Sequence, residues 1–265
     1  MQAKPQRPII NPRHPLARGL LGAWPMLRHS STGAEPNIVK PGLYDLSPNS
    51  SPTPLVGKHG WQFGYDGSAN WHSSTSFASV PGSPVSVFVL VNIQRLANNE
   101  IVVGRNASFS LSVIDWYFII DLAGARLLWL TKPAGNGVYA ISSQSNPTTG
   151  WHSILCTWNG GVGVGAANMW VDGLPTTNGQ GGAGFNTTAG ASLSVGAAAN
   201  GNGKLQCQIA DLRIWNRVLN NASARSLLAD PWAMYRAPKF TIGKAPSGAI
   251  TSHPYYYRNF VNMSK

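Results

Sequence analysis

Acidic residues are scarce in this chain, with seven Asp and two Glu among 265 residues, against 20 Lys and Arg. The two Glu, Glu35 and Glu100, are isolated from each other and from the Asp residues. Asp115 and Asp121 lie six apart, but the apolar run between them reads as core and places them beside turns. Paired catalytic carboxylates, which glycoside hydrolysis needs at a set separation, are therefore not indicated. Cysteine is scarcer still. Cys156 and Cys207 cannot build a disulfide framework and read as small buried apolar residues, with a single bridge between them as the alternative. Residues 111–130 form the most apolar stretch, but Asp115, Asp121 and Arg126 interrupt it, so no membrane span is expected. No apolar segment of the secretory type follows Met1 to Pro8. Charged residues make up 11% of the chain, where soluble domains usually hold about 25%. With 29 Gly and 19 Pro, the composition argues against an α-rich protein.

The position of the charge says more than its sum of +11. Residues 1–28 hold five basic residues and no acid, and residues 231–265 hold five more, again with no acid. The stretch 29–230 carries ten basic residues and all nine acids, a net of +1. A nearly neutral body with two cationic ends is not the layout of a domain-wide nucleic-acid face, and the ends lack dense Lys/Arg runs. Direct DNA or RNA binding is not expected. Pro5, Pro8, Pro12 and Pro15 make residues 1–15 an extended arm. Residues 239–265 form a second arm, but Tyr255, Tyr256, Tyr257 and Phe260 give it an aromatic content unusual for a disordered tail, so part of it is expected to dock.

Between the arms, short runs of period-two alternation are separated by Gly, Asn and Pro turns, the pattern of an all-β sandwich or barrel. Val85 to Val91, bounded by Pro84, reads as a central strand. Further strands are expected at 101–103, 109–113, 116–120, 126–130, 151–158, 193–196 and 205–215, and the strand Asn168–Val171 ends in an Asp172-Gly173 turn. One helix is expected over Ala222–Ala229, capped by Asn220 or Asn221 and stopped by Asp230-Pro231. The glycine clusters 159–165, 178–184 and 200–203 read as loops; Gly179 to Gly184 matches G-x-G-x-x-G but lacks the strand-to-helix setting that a phosphate cradle requires.

Several segments in this order resemble the laminin-G-like, concanavalin A-like jelly-roll domains, in the single-domain form found in tailed phages. They are Pro15 to Trp24, Asp45-Leu46-Ser47 with Asn49, Phe63 with Asp66-Gly67-Ser68, Trp151-His152, Trp170-Val171-Asp172-Gly173, Leu193 to Gly196, Ile209 to Arg217 and Asp230-Pro231-Trp232. The resemblance implies a two-sheet antiparallel jelly-roll sandwich over residues 16–238 with one short C-terminal helix. Physical chemistry assigns most motif residues structural work: Asp211 pairs or caps locally beside Arg213, and Trp24, Trp61, Trp151, Trp170 and Trp215 fill the core, with an aromatic sugar platform of exposed Trp as the functional alternative. Related glucanases carry an E-x-D-x-E strand, which this sequence lacks.

The expectation is a protein without catalytic residues, cofactor or metal. Asp45, Asp66 and Asp172 are the calcium candidates, but no Asp-x-Asp-x-Asp loop joins them, and the six His show no zinc-ligand spacing. The resemblance points to a phage virion component, assembled in the host cytoplasm in multiple copies or as a homo-oligomer. It would decorate a capsid or sit on a tail, anchored to capsid or tail proteins by Arg7, Arg13 and Arg18 at one end and Lys244, Tyr255, Tyr256, Tyr257, Arg258 and Phe260 at the other. The alternative is a carbohydrate-binding adhesin that recognises a host surface glycan.

Overall fold

The β-branched run that follows Pro84 forms the centre of the molecule. The computed structural model describes residues 4–5, 8–27, 33–74, 77, 84–97, 99–106, 114–121, 125–131, 139–161, 163–181 and 192–236. In it, β6 (Val85–Ile93) pairs with a strand on either side and is buried along nearly its whole length. Its odd-numbered residues Val85, Val87, Val89, Val91 and Ile93 face the main core, while Phe88 and Leu90 face a second apolar layer on the other side. Burial on both faces explains why the sequence here is a continuous apolar run rather than an alternating one.

The remaining strands are β1 (Leu20–Trp24), β2 (Ser47–Asn49), β3 (Thr53–Gly57), β4 (Gly60–Asp66), β5 (Trp71–Ser74), β7 (Glu100–Asn106), β8 (Ile114–Asp121) and β9 (Arg126–Thr131). Then follow β10 (Tyr139–Ser145), β11 (Gly150–Trp158), β12 (Ala167–Val171), β13 (Leu174–Pro175), β14 (Thr177–Gly181), β15 (Leu193–Val195), β16 (Gln206–Trp215) and the helix α1 (Asn221–Ala229). One antiparallel sheet runs β13-β12-β11-β6-β16-β4-β3, with β1 also on β16; the other runs β14-β10-β9-β8-β7-β15-β5-β2. Their facing sides close over Trp116, Phe118, Trp129, Ile154, Cys156, Trp158 and the inward residues of β6. This is the expected two-sheet jelly-roll sandwich. Both cysteines are buried and free.

A β-bulge in β16 decides where the charges go. Cys207 and Ile209 point into the core, and unbroken alternation would send Asp211 and Arg213 there too. The pairing with β6 slips between Ile209 and Asp211, so Leu212 and Ile214 take the core positions and the two charged residues turn to the outer layer. That layer is built from both ends of the chain. Leu16, Leu20, Leu219, Ala224, Leu227, Trp232, Met234 and Tyr235 cover Phe88, Leu90, Leu155 and Trp215. The α1 helix starts where Asn220 accepts the Ser223 amide, and it ends at Asp230-Pro231 as expected. The N-terminal segment lies on the same layer, with the Asn11 amide donating to the Met234 carbonyl at 2.8 Å.

Other expectations need correction. The glycine cluster 178–184 is not wholly loop: Thr177–Gly181 pairs with β10 as an edge strand, because backbone pairing to Tyr139–Ser143 overrides the low strand propensity of Gly and Asn. Trp24 and Trp215 are fully buried, but Trp61, Trp151 and Trp170 are only half-buried. The strand expected at 109–113 lies outside the described residues, and β1 to β5 and β10 were missed. Among the described residues no helix is long and apolar enough to cross a membrane.

Candidate functional site

Two polar clusters stand out, one sealed and one open. The sealed one occupies the outer layer over β16. Asp211 and Arg213 are fully buried and form an ion pair; the Tyr235 hydroxyl donates to Asp211 at 3.0 Å and accepts from Arg213 Nε at 2.9 Å. Arg213 also donates to the Pro231 carbonyl and stacks on Tyr235, 4.4 Å from the ring centre. From the N-terminal segment, Lys4 Nζ reaches the carbonyls of Trp61 at 2.6 Å, Ala210 at 3.0 Å and Met26 at 3.4 Å. Nearby Glu35 is fully buried, and each of its carboxyl oxygens lies 2.9 Å from the Leu27 amide. Burial pushes Lys4 down to about 8, against the attraction of Asp211 and Glu35. Burial likewise pushes Glu35 up to about 8, despite the Leu27 amide and Lys4. Apart from Arg213 Nη1, which is buried without a hydrogen-bond partner, these groups bond to one another and to the backbone, and their burial leaves little for a ligand to engage.

The open cluster lies where the loop before β2 meets β5. A cleft of about 380 Å³ is lined by Gly42, Leu43, Tyr44, Asp45, Ser47, Ser73 and Ser74. Ser47 and Ser73 are direct cross-strand partners, and Ser73 Oγ accepts from Asn49 at 2.9 Å. The loop is held from beneath by Asn37, which is fully buried. Its side-chain oxygen accepts the amides of Ala23 and Val39, both at 3.1 Å, and its nitrogen donates to the carbonyls of Leu21 and Leu43 at 3.3 and 3.0 Å. Asp45 accepts the Asn37 amide at 2.8 Å and the Gly42 amide at 3.2 Å. Backbone pairing of Glu35 with Leu46 closes the base of the loop. Tyr44 takes a left-handed backbone, φ 64°, and its carbonyl receives the indole N–H of Trp24. Its ring packs edge-on against Phe77, 5.0 Å between centres. A loop with this many fixed points presents its exposed groups in one geometry, so a ligand would meet a preorganised surface.

The residues singled out in the sequence fall in separate places. Of the calcium candidates, Asp45 lines the cleft. Asp66 holds the turn after β4 by accepting the amides of Ser68 at 2.8 Å and Ala69 at 2.9 Å. Asp172 sits in the β12–β13 turn, with positive φ at both Asp172 and Gly173, and accepts from His152 Nδ1 and from the Ser153 amide, both at 2.8 Å. The bond to Asp172 holds the His152 pKa above its ordinary value. Among the described residues no three His, Cys, Asp or Glu side chains form a metal-binding group. Glu100 is buried and paired with Arg95, and Asp121 pairs with Arg126 at 3.0 Å. Arg13 and Arg18 are exposed, whereas Arg7, Lys244, Tyr255, Tyr256, Tyr257, Arg258 and Phe260 lie outside the described residues. Asn37 was missed, since a lone Asn in a loop carries no spacing signal; Ser73 and Ser74 were missed because β5 was.

Fold and cleft together define a two-sheet antiparallel β-sandwich with a polar depression at one sheet edge. Residues 56–225 match the laminin G type of the concanavalin A-like lectin/glucanases superfamily, and the chain belongs to that superfamily. No curated protein matches it. Among solved structures it resembles Trypanosoma rangeli sialidase, with a TM-score of 0.57 and 13% identity over 85% of this chain and 36% of that one. It also resembles the binding domain of botulinum neurotoxin DC in complex with SialylT, with a TM-score of 0.56 and 11% identity over 80% of this chain and 51% of that one. The chain thus spans about a third of the sialidase and about half of the toxin domain. At such identities the likeness speaks for the fold alone.

Proposed function

We propose that this protein is a noncatalytic carbohydrate-binding module whose site is the cleft between the 42–47 loop and β5. The observation that carries the reading is the cleft itself: the half-exposed Leu43 and the Asp45 carboxylate on a loop fixed by Asn37, beside the cross-strand hydroxyls of Ser47 and Ser73. Hydroxyls and carboxylates bond sugar hydroxyls, and an apolar side chain covers the C–H face of a pyranose ring. The superfamily supports the same reading by analogy. Neither Glu35 nor Glu100 lines the cleft; both are buried in structural contacts. A glycan array probed with the wild type and with Ser47→Trp tests this. Ser47 is exposed, so the substitution fills the cleft without disturbing the core. Binding that the variant loses supports the site; binding that it retains places the glycan elsewhere.

A second reading, compatible with the first, is a virion component of a tailed phage tethered by its basic ends. One observation favours it: residues 237–265 carry four Lys and Arg, three consecutive Tyr and Phe260, with no acid. Cationic and aromatic side chains on such a segment suit an acidic groove between subunits. At the other end, Lys4 and Asn11 are engaged with the body itself, while Arg13 and Arg18 are exposed and open to that role. Removing residues 240–265 is expected to lower occupancy in particles; unchanged incorporation contradicts the tether.

A further inference from the structure

We infer that the cleft selects neutral saccharides and rejects those bearing a carboxylate, such as uronic or sialic acids. This rests on the reading of the cleft as a glycan site and adds the class of sugar.

The lining supplies one carboxylate, Asp45, and, among the described residues, no Lys, Arg or His side chain. The carboxylate is also fixed. The Asn37 and Gly42 amides hold it through the same loop geometry that Asn37 pins to β1, so it cannot swing away from an incoming anion. One of its oxygens, Oδ1, takes the Asn37 amide, and the two share the Gly42 amide. Oδ2 is therefore left with acceptor capacity. A carboxylate oxygen accepts from a sugar hydroxyl in a strong charge-assisted bond. The paired serines on β2 and β5 donate or accept as needed, so the surface suits adjacent hydroxyl groups on one ring. A carboxylate on the ligand would meet Asp45 with no cation in the described lining to offset the repulsion. Like charges roughly 5–6 Å apart at a partly wetted surface cost enough to weaken binding by about tenfold.

Matched sugar pairs test this: methyl β-glucoside against methyl β-glucuronide, methyl β-galactoside against methyl β-galacturonide, and lactose against its sialylated form. The full chain is titrated by NMR or calorimetry. The expected result is that a neutral member binds at least about tenfold more tightly than its acidic counterpart, and that Asp45→Asn closes most of that gap. The asparagine oxygen can still accept the Asn37 amide, and a thermal melt confirms that the variant folds. If acidic members bind as well or better and Ser47→Trp abolishes this, the selectivity is overturned while the glycan site stands. If no sugar of either kind binds, or if binding ignores Ser47→Trp, the site reading falls and the selectivity with it.

Discussion

The outer layer over β16 and the cleft beside β5 are both polar clusters organised by buried side chains, yet they differ in what they leave over. In the layer, Lys4, Glu35, Asp211, Arg213 and Tyr235 spend their hydrogen bonds on one another and on backbone carbonyls and amides, with only Arg213 Nη1 among them left unpartnered, and that atom is sealed from solvent. In the cleft, the buried Asn37 is spent on the loop, while Ser47 is exposed and Asp45 Oδ2 keeps acceptor capacity. The first arrangement closes the fold by tying Lys4 and the segment around Tyr235 to the sheet; the second is a fixed surface with hydrogen-bonding groups open to solvent. Charge density alone does not distinguish a site from a seal, but unspent hydrogen-bonding capacity on a fixed frame does.

The sharpest way to break this contrast is to open the seal. Arg213→Met leaves the fully buried Asp211 carboxylate without its ion partner, and about 3–5 kcal/mol of stability should be lost. Urea unfolding measures this, and a loss below about 1 kcal/mol would show that the layer is not sealed.

In the cleft's frame, Asn37→Ala removes a buried side chain that makes four bonds, for a cost of about 2–3 kcal/mol. Its distinguishing effect is local. Amide exchange should accelerate in residues 38–46 and sugar affinity should fall, while exchange in β6 changes only in step with global stability.

The seal also predicts a pH signature. Glu35 is raised from 4.5 to about 8, so between these values the unfolded chain has lost a proton that the folded one keeps, and stability falls as pH rises. Lys4 is lowered from 10.5 to about 8, so above 8 the unfolded chain holds the extra proton and stability rises with pH. Glu35→Gln should flatten the falling limb and Lys4→Met the rising one, as read from urea midpoints across roughly pH 5–10. A profile identical to wild type in both variants would show that neither group titrates in this way.

The smallest effect is expected in the cleft lining. Ser47→Ala should change stability by less than about 0.5 kcal/mol while weakening sugar binding severalfold.

The sandwich was legible in the sequence because β6, β11 and β16 carry their burial pattern openly, and even the bulge shows as a shift of parity between Cys207-x-Ile209 and Leu212-x-Ile214. The helix was legible through Asn220 and Asp230-Pro231. The edge strands were not. Ser47–Asn49 and Trp71–Ser74 are short and polar on one side, and their pairing is set by distant partners in β15 and in each other rather than by local preference. Since the cleft is built on those edges, it was hidden with them; only Asp45 and Ser47 appeared, as family motif residues. The intramolecular role of Lys4 was hidden for a similar reason, because its acceptors Met26, Trp61 and Ala210 are scattered along the chain.

The central claim is that the open cleft, and not the sealed layer or another loop cluster, is the binding surface. An amide-resolved NMR titration of the full chain with a neutral glycan selected from the array tests it most directly. Shifts confined to Gly42, Leu43, Tyr44, Asp45, Ser47, Ser73, Ser74 and their immediate neighbours are predicted. Shifts centred on the loop between β11 and β12 or on the β12–β13 turn, with the cleft residues unmoved, would contradict the account.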